Sequence, residues 1–302
     1  NHTSHSFILL GLAESPGMQL PLFGVFLLMY VLTLMGNVGM VALVGIDQGL
    51  HTPMYLFLRH FSLVDACYST TIVPNMLASL ASGNRGISFA GCVAQLYGFL
   101  LFGITECYLL AIMAYDRCAA ICRPLHYVVM LPKAVCVQLV SMAYVLGVLY
   151  SVIYTSCTFG GSFGKSNIID HFFCDISPLL KLSGSDKFIR EKVIFACVGI
   201  NGISTSGVIV VSYLYILFTI LKMPSVQSRS RAFNTCASHL LVVSLFYGTG
   251  FFTYLLPSPS HRRLDKVVSV FYTMVTPLLN PLIYSLRNRE VKEAWMRHAK
   301  RF

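Results

Sequence analysis

Four stretches of this chain contain no Asp, Glu, Lys or Arg: Glu14 to Asp47, Lys133 to Lys165, Lys192 to Lys222 and Arg231 to Arg262. Leu, Val, Ile, Phe, Met and Tyr dominate each of them. A hydrocarbon core roughly 30 Å thick is crossed by roughly 20 apolar residues rising 1.5 Å each, so each interval is long enough to span a bilayer. Lys266 to Arg287 supplies a fifth interval, and two more, near 55 to 81 and 92 to 120, are long enough but carry Asp65 and Glu106. The expected architecture is an all-α membrane protein, a seven-transmembrane helix bundle in one domain covering 1–302, with spans at about 21–46, 55–81, 92–120, 134–158, 193–221, 232–257 and 267–286. The chain is 56% apolar and only 11% charged, against about 25% charged in soluble domains. That balance excludes a disordered tail, a secreted disulfide miniprotein and a nucleic-acid module, although the net charge of +10 alone would admit the last.

With seven spans the two ends lie on opposite sides, and the positive-inside rule orients them. On the side of the C-terminus fall 13 of the 22 basic residues, among them Arg59, Arg117, Arg123, Lys133, Arg231 and the run from Arg287 to Arg301. The C-terminus is therefore expected in the cytoplasm and the N-terminus outside, where Asn1-His2-Thr3 forms a glycosylation sequon. The first span is too long for a signal-peptide apolar region and lacks a basic leader, so it should remain as an anchor. Residues 288–302 place Val291, Trp295, His298 and Phe302 at helical spacing with basic residues between them. They read as a short amphipathic helix on the inner leaflet, the alternative being a frayed basic tail.

Asp65 and Glu106 are the acidic residues deep within spans, where a charge costs at least about 2.5 kcal/mol. Glu106 lies near the midplane and Asp65 at a comparable depth. Two carboxylates at one depth either share a proton or recruit a cation, and a sodium site is the functional reading. A neutral carboxyl bonded to a neighbouring backbone or hydroxyl group is the other. Along the third span Phe99, Gly103, Glu106, Leu110, Met113 and Arg117 share one helical face, which must point into the bundle.

Met113-Ala114-Tyr115-Asp116-Arg117, followed by Ile121-Cys122-Arg123-Pro124-Leu125-His126-Tyr127, resembles the third-span signature of vertebrate olfactory receptors, rhodopsin-like G-protein-coupled receptors. In the same order stand Gly36-Asn37, Leu50-His51-Thr52-Pro53-Met54-Tyr55, Ser212-Tyr213, Ala232-Phe233-Asn234-Thr235-Cys236-Ala237-Ser238-His239 and Pro277-Leu278-Leu279-Asn280-Pro281-Leu282-Ile283-Tyr284. The resemblance covers essentially the whole chain and is to the larger, tetrapod-expanded class. It implies an odorant receptor in the plasma membrane of olfactory neuron cilia. A small, mostly apolar volatile ligand would bind in the outer half of the bundle and activate the olfactory stimulatory G protein, raising cAMP.

By family position the implied ligand residues are Phe99, Gly103, Ile104, Cys197, Val198, Asn201, Tyr247, Phe251, Tyr254 and Thr273, and the implied switch residues are Asp116, Arg117, Tyr213, Arg231, His239, Asn280, Pro281 and Tyr284. Arg117 would pair with Asp116 when the cleft is closed. The resemblance also implies a bridge between Cys92 and Cys174, pinning the long loop after the fourth span. Most of the ten cysteines lie in or beside spans and read as small apolar residues. The chain departs from the pattern at Cys118 and Ala119, where Tyr and Val commonly follow the Asp-Arg pair, and at Arg231, where Lys is usual. Gly164 and Gly184 stand where two further loop cysteines usually do, so this loop is expected to be less constrained. His171, Cys174 and Asp175 have metal-ligand types, but a bridged Cys174 would have no thiolate to give. Cys118 and Cys122, at helical spacing, read as packing or a palmitoylation site rather than as a metal site. No cofactor is expected beyond the sodium ion.

An enzyme is set aside because no phosphate-cradling glycine loop, His-Glu metal motif or nucleophile-base arrangement is found. A transporter would show a repeat between halves, and none is seen. A rhodopsin-like receptor for another small ligand is the nearest alternative, though Phe99 stands where amine receptors place an Asp.

Overall fold

The computed structural model describes residues 6–12, 16–163, 166–184, 187–255 and 262–299, with the side chains at 16, 187, 251–255, 262–263, 286–287 and 299 outside the description. The long helices are α1 (Pro16–Ile46), α2 (Pro53–Ser82), α3 (Phe89–Cys122), α4 (Lys133–Phe159), α5 (Lys187–Lys222) and α6 (Val226–Leu255). A seventh, α7, covers 262–287 as two helical segments, Arg262–Val270 and Thr276–Arg287, joined by a π-helical turn at Phe271–Val275. The final helix, α8, is Arg289–Ala299. Most of the helices run past the apolar intervals at both ends, since capping is done by polar flanks. Ser88 Oγ accepts from the Gly91 amide to start α3, and Gly83, at φ 70°, closes α2 in a left-handed turn that favours glycine.

Among the described residues, α1, α3, α4, α5 and α7 are long and apolar enough to cross a membrane. The helices α2 and α6 are long enough, at 30 residues each, but more polar. The interval from Arg231 to Arg262, expected to be among the clearest spans, is free of charge yet not strongly apolar. Asn234, Thr235, Ser238 and His239 occupy its first turns, and the residues past Leu255 include 256–261, outside the description.

The third helix is the axis of the bundle. It packs against α2, α4, α5 and α6, and 61% of its apolar window is buried, against 28% in α1 and 22% in α5. The outer helices turn residues such as Leu20, Met35, Phe195 and Ile203 outward, as a lipid solvent allows. Phe99, Glu106, Leu110, Met113 and Arg117 are all buried, so the shared face of α3 does point inward.

A small sheet that the helical pattern did not foretell covers one end. Its strands are β1 (Ser6–Leu9), β2 (Gly86–Ser88) and β3 (Ile168–Ile169), with β1 central, antiparallel to β2 and parallel to β3. Cys92 is bonded to Cys174 at this end. The helix α8 lies at the other, docked by its own side chains. Val291 and Ala294 are buried, Arg297 Nη2 donates to Asp47 Oδ2 at 2.9 Å, and Trp295 lies against Gly39 of α1. The Tyr55 hydroxyl shares its one proton between Glu290 Oε2 at 2.7 Å and Asn288 Oδ1 at 3.0 Å, and Asn288 in turn caps α8. Phe302 lies outside the described residues, as does Asn1.

Candidate functional site

Proline chemistry explains how α7 is held. Pro281 has no amide hydrogen, so the carbonyl four residues earlier, on Pro277, loses its helical donor. Asn37 Nδ2 on α1 donates to that carbonyl at 2.9 Å. Gly36 makes the approach feasible, because a Cβ at that position would stand 2.9 Å from Pro281 Cγ. One turn away, Asn280 Nδ2 donates to Asp65 Oδ2 at 2.9 Å.

Asp65 and Glu106 are within hydrogen-bonding reach of one another, both fully enclosed. Asp65 Oδ1, Glu106 Oε1, Ser69 Oγ, Asn280 Oδ1 and Asn37 Oδ1 are buried oxygens without a hydrogen-bond partner. Unpartnered buried acceptors are costly, and several in one region mark a place where a proton or a hard cation would be welcome.

Towards the α8 end, three helices are tied through α6. His239 Nε2 lies 3.0 Å from the Leu110 carbonyl, which can only accept, so Nε2 carries the hydrogen and Nδ1 accepts from the Tyr213 hydroxyl at 2.7 Å. Arg117 Nη1 donates to the Thr235 carbonyl of α6. Asp116 accepts instead from Tyr127 at 2.7 Å. The expected Asp116–Arg117 pair is therefore not what closes this end. Consecutive helical residues point about 100° apart, so the two side chains meet different neighbours, and the exposed end of α6 offers Arg117 basic residues and a carbonyl but no carboxylate. Tyr284 is buried edge-on to Phe61 with its hydroxyl unpartnered. Arg231 is exposed at the start of α6.

At the disulfide end the long loop is threaded into the bundle. Cys174 N donates to Gln95 Oε1 at 2.9 Å, and Gln95 Nε2 donates to the Thr71 carbonyl. Phe99 packs against Phe173 of the loop, Tyr68 and Tyr272. Burial raises the Asp175 carboxyl to about 6, while burial and the Lys266 charge lower His171 to about 3. His171 Nε2 meets Ser269 Oγ at 3.1 Å. With Cys174 in a disulfide, the His171, Cys174 and Asp175 combination has no thiolate, and no trio of metal-ligand side chains assembles among the described residues. Gly164 lies outside them. Near Gly184 the loop is closed by a backbone bridge between Phe163 and Ser183, with Arg190 donating to Ser183 Oγ at 2.6 Å.

Of the expected ligand residues, Phe99, Ile104, Asn201 and Thr273 are buried, and Gly103, Cys197 and Tyr247 half-buried. Val198 is 39% exposed. The inward stripe of α5 runs through Ile194, Asn201 and Thr205 with Cys197 half-buried at its edge, and position 198, four residues after Ile194, borders it. The side chains of Phe251 and Tyr254 are outside the description. Asn201 Oδ1 and the Tyr247 hydroxyl are buried without partners. A separate cleft of about 490 Å³ opens between the outer ends of α2 and α3, lined by Thr71, Asn75, Ile87 and Gln95 among others, and none of the expected ligand residues lines it.

A family model described as olfactory receptor matches residues 26–300. The chain belongs to the olfactory receptor family. It is 51% identical to olfactory receptor 5B12 of Homo sapiens over 96% of this chain and 92% of the relative, and 53% identical to olfactory receptor 5AP2 of Mus musculus over 95% and 91%. A crystal structure of squid rhodopsin superposes with a TM-score of 0.74 at 16% identity, covering 93% of this chain and 80% of that one, which shows a shared fold. The receptor is thus a multi-pass membrane protein that responds to odorants and acts through a G protein, and it is not an enzyme.

Sequence reasoning missed three of the receptor's ties: the Thr235 carbonyl, Tyr127, and Asn37 acting on Pro277. The last was within reach, since Pro281 announces which carbonyl is freed. The other two depend on how helices rotate against each other, which no motif records.

Proposed function

We propose that the receptor holds a small, mostly apolar volatile molecule between α3, α5, α6 and α7 on the disulfide side of the midplane, and that the ligand favours an outward position of α6 for the olfactory stimulatory G protein, raising cAMP. One observation carries this reading. Asn201 Oδ1 on α5 and the Tyr247 hydroxyl on α6 are buried without a hydrogen-bond partner, with Thr205 beside them, as a site with a few orienting polar groups requires. Phe99, Gly103, Ile104, Cys197 and Thr273 line the same half, with Phe251 and Tyr254 on the last turns of α6. The disulfide end and N-terminus face outside, the α8 end faces the cytosol, and the receptor resides in the membrane of olfactory cilia.

Asp116, Arg117, Tyr213, Arg231, His239, Asn280, Pro281 and Tyr284 form the coupling end in this reading. The oxygens around Asp65 and Glu106 are of the type a sodium ion takes, and the ion would stabilise the closed arrangement. A cAMP-reporter screen of a volatile panel tests the reading, in cells supplied with the olfactory G protein. Oxygenated agonists should lose about tenfold in potency in Tyr247→Phe, as one lost hydrogen bond implies. Silence across the panel despite verified surface expression would overturn the reading. A sodium response of ligand affinity that is the same in wild type and Asp65→Asn rejects the ion site.

A further inference from the structure

At the α8 end of α3 two thiols face each other outside the switch described above. Cys118 Sγ and Cys122 Sγ are 3.9 Å apart on the last turn, both half-buried and so reachable from solvent. A direct disulfide does not suit them. Residues four apart on a helix hold their Cβ atoms roughly 5–6 Å apart, whereas a disulfide needs about 3.5–4.5 Å. An interposed atom does suit them, because two metal–sulfur bonds of about 2.3 Å bring sulfurs to anywhere up to about 4.6 Å apart.

We propose that Cys118 and Cys122 form a two-thiolate site for a soft monovalent cation, Cu(I). Among the described residues no third His, Cys, Asp or Glu completes a ligand trio there. Thiolates select Cu(I) and Zn(II), and Zn(II) takes four ligands where Cu(I) is satisfied by two. The Arg123 guanidinium beside the pair favours a thiolate there, against the burial that opposes it. From α5, Thr219 Oγ1 lies 3.2 Å from Cys122 Sγ and shares its one proton with the Tyr215 carbonyl at 2.9 Å. Binding displaces two thiol protons to solvent and moves no electron. The product carries one net negative charge, offset by the neighbouring Arg117 and Arg123 guanidiniums.

Both ligands stand on the last turns of α3, beside the Arg117–Thr235 tie to α6 and against Thr219 of α5, so a loaded site stiffens the closed end and lowers G-protein activation. The consequence is particular to this chain, since Cys118 stands where its family commonly has Tyr. The test titrates purified full-length receptor with Cu(I) against a chromogenic Cu(I) chelator. Wild type should bind one equivalent more than either Cys118→Tyr or Cys122→Ser, while Cys136→Ser matches wild type. X-ray absorption of wild type loaded with one equivalent should show two sulfur neighbours, which needs no variant to fold. In membranes with G protein, buffered Cu(I) should lower agonist-driven nucleotide exchange several-fold in wild type and leave Cys118→Tyr unchanged. Equal stoichiometry in wild type and the paired variants, loss in only one of them, or three or more sulfur neighbours would overturn the proposal.

Discussion

Replacing His239 with Phe tests whether α6 is held at its α8 end by the two hydrogen bonds of one imidazole. Phe keeps the ring volume and the stacking on Tyr213, whose ring centre lies 5.8 Å away, and removes the bonds to Tyr213 and to the Leu110 carbonyl. Hydrogen bonds between membrane helices contribute about 0.6 kcal/mol on average, so losing both costs the closed state about 1.2 kcal/mol. That is roughly an eightfold change in the open-to-closed ratio, because bonds made in one state alone set its share of the population. Tyr213→Phe removes one of the two and should give roughly threefold. On the His239→Phe background it should add nothing. The measurement is ligand-free reporter output normalised to surface receptor, across wild type, both single variants and the double variant. Basal output at or below wild type in both single variants, at matched surface expression, refutes the reasoning. So does a Tyr213→Phe output exceeding that of His239→Phe.

Gly36→Ala should lower surface expression and thermal stability by about 1–3 kcal/mol, since the new methyl meets the Pro281 ring, which cannot turn away; an unchanged melting temperature would show that α1 and α7 are not so closely packed. Cys92→Ser frees the loop that plugs the bundle, and loss of surface expression or of response is expected; a variant that retains both argues against the bridge's role. The pH response of that loop follows from two buried groups of opposite sense. Asp175, raised from 3.8 to about 6, contributes stability that is present below 3.8 and lost as pH rises through 6. His171, lowered from 6.5 to about 3, contributes stability that is present above 6.5 and lost as pH falls towards 3. Between pH 4 and 6 the two slopes, each about 1.4 kcal/mol per pH unit, cancel. Thermal unfolding of wild type should therefore be nearly flat there, Asp175→Asn should lose stability on acidification, and His171→Gln should gain it; parallel curves for all three would sink the pairing.

The spans and the coupling end were readable because each leaves a one-dimensional trace: a charge-free interval for a span, a contiguous motif for a helix end. What was unreadable lies between helices. The helix α5 is apolar around most of its circumference, so periodicity gives no face there; the inward stripe shows only in the buried Asn201 and Thr205. The Asp116–Arg117 pair was implied by the resemblance; in the fold Asp116 meets Tyr127 and Arg117 the Thr235 carbonyl, since consecutive residues on a helix point about 100° apart. Phe99 was expected to meet ligand, and its ring is already enclosed by Tyr68, Phe173 and Tyr272, one of them delivered by a loop more than seventy residues later in the chain. The sheet through β1 was invisible because four residues of alternating burial carry too little signal beside a long helix.

The polar ties are unevenly distributed, and that asymmetry bears on which helix can move. Helix α7 is stitched to its neighbours by amide side chains spaced along its length: Asn37 on the Pro277 carbonyl, Asn280 on Asp65, and Asn288 with Tyr55. Each tie satisfies a group that would otherwise be buried and unpaired, so separating α1, α2 and α7 leaves several costly orphans at once. The described ties of α6 to α3 and α5 are Arg117 to Thr235 and the two bonds of His239, all near its α8 end. Its outer half presents Tyr247 with no partner. A helix whose described bonds to α3 and α5 cluster at one end, and which buries a spare hydroxyl further out, can exchange partners along its length. A ligand that occupies Tyr247 adds a bond in the outer half in whichever state places that hydroxyl best, and an advantage of about 1.2 kcal/mol would match what His239 contributes to the closed state.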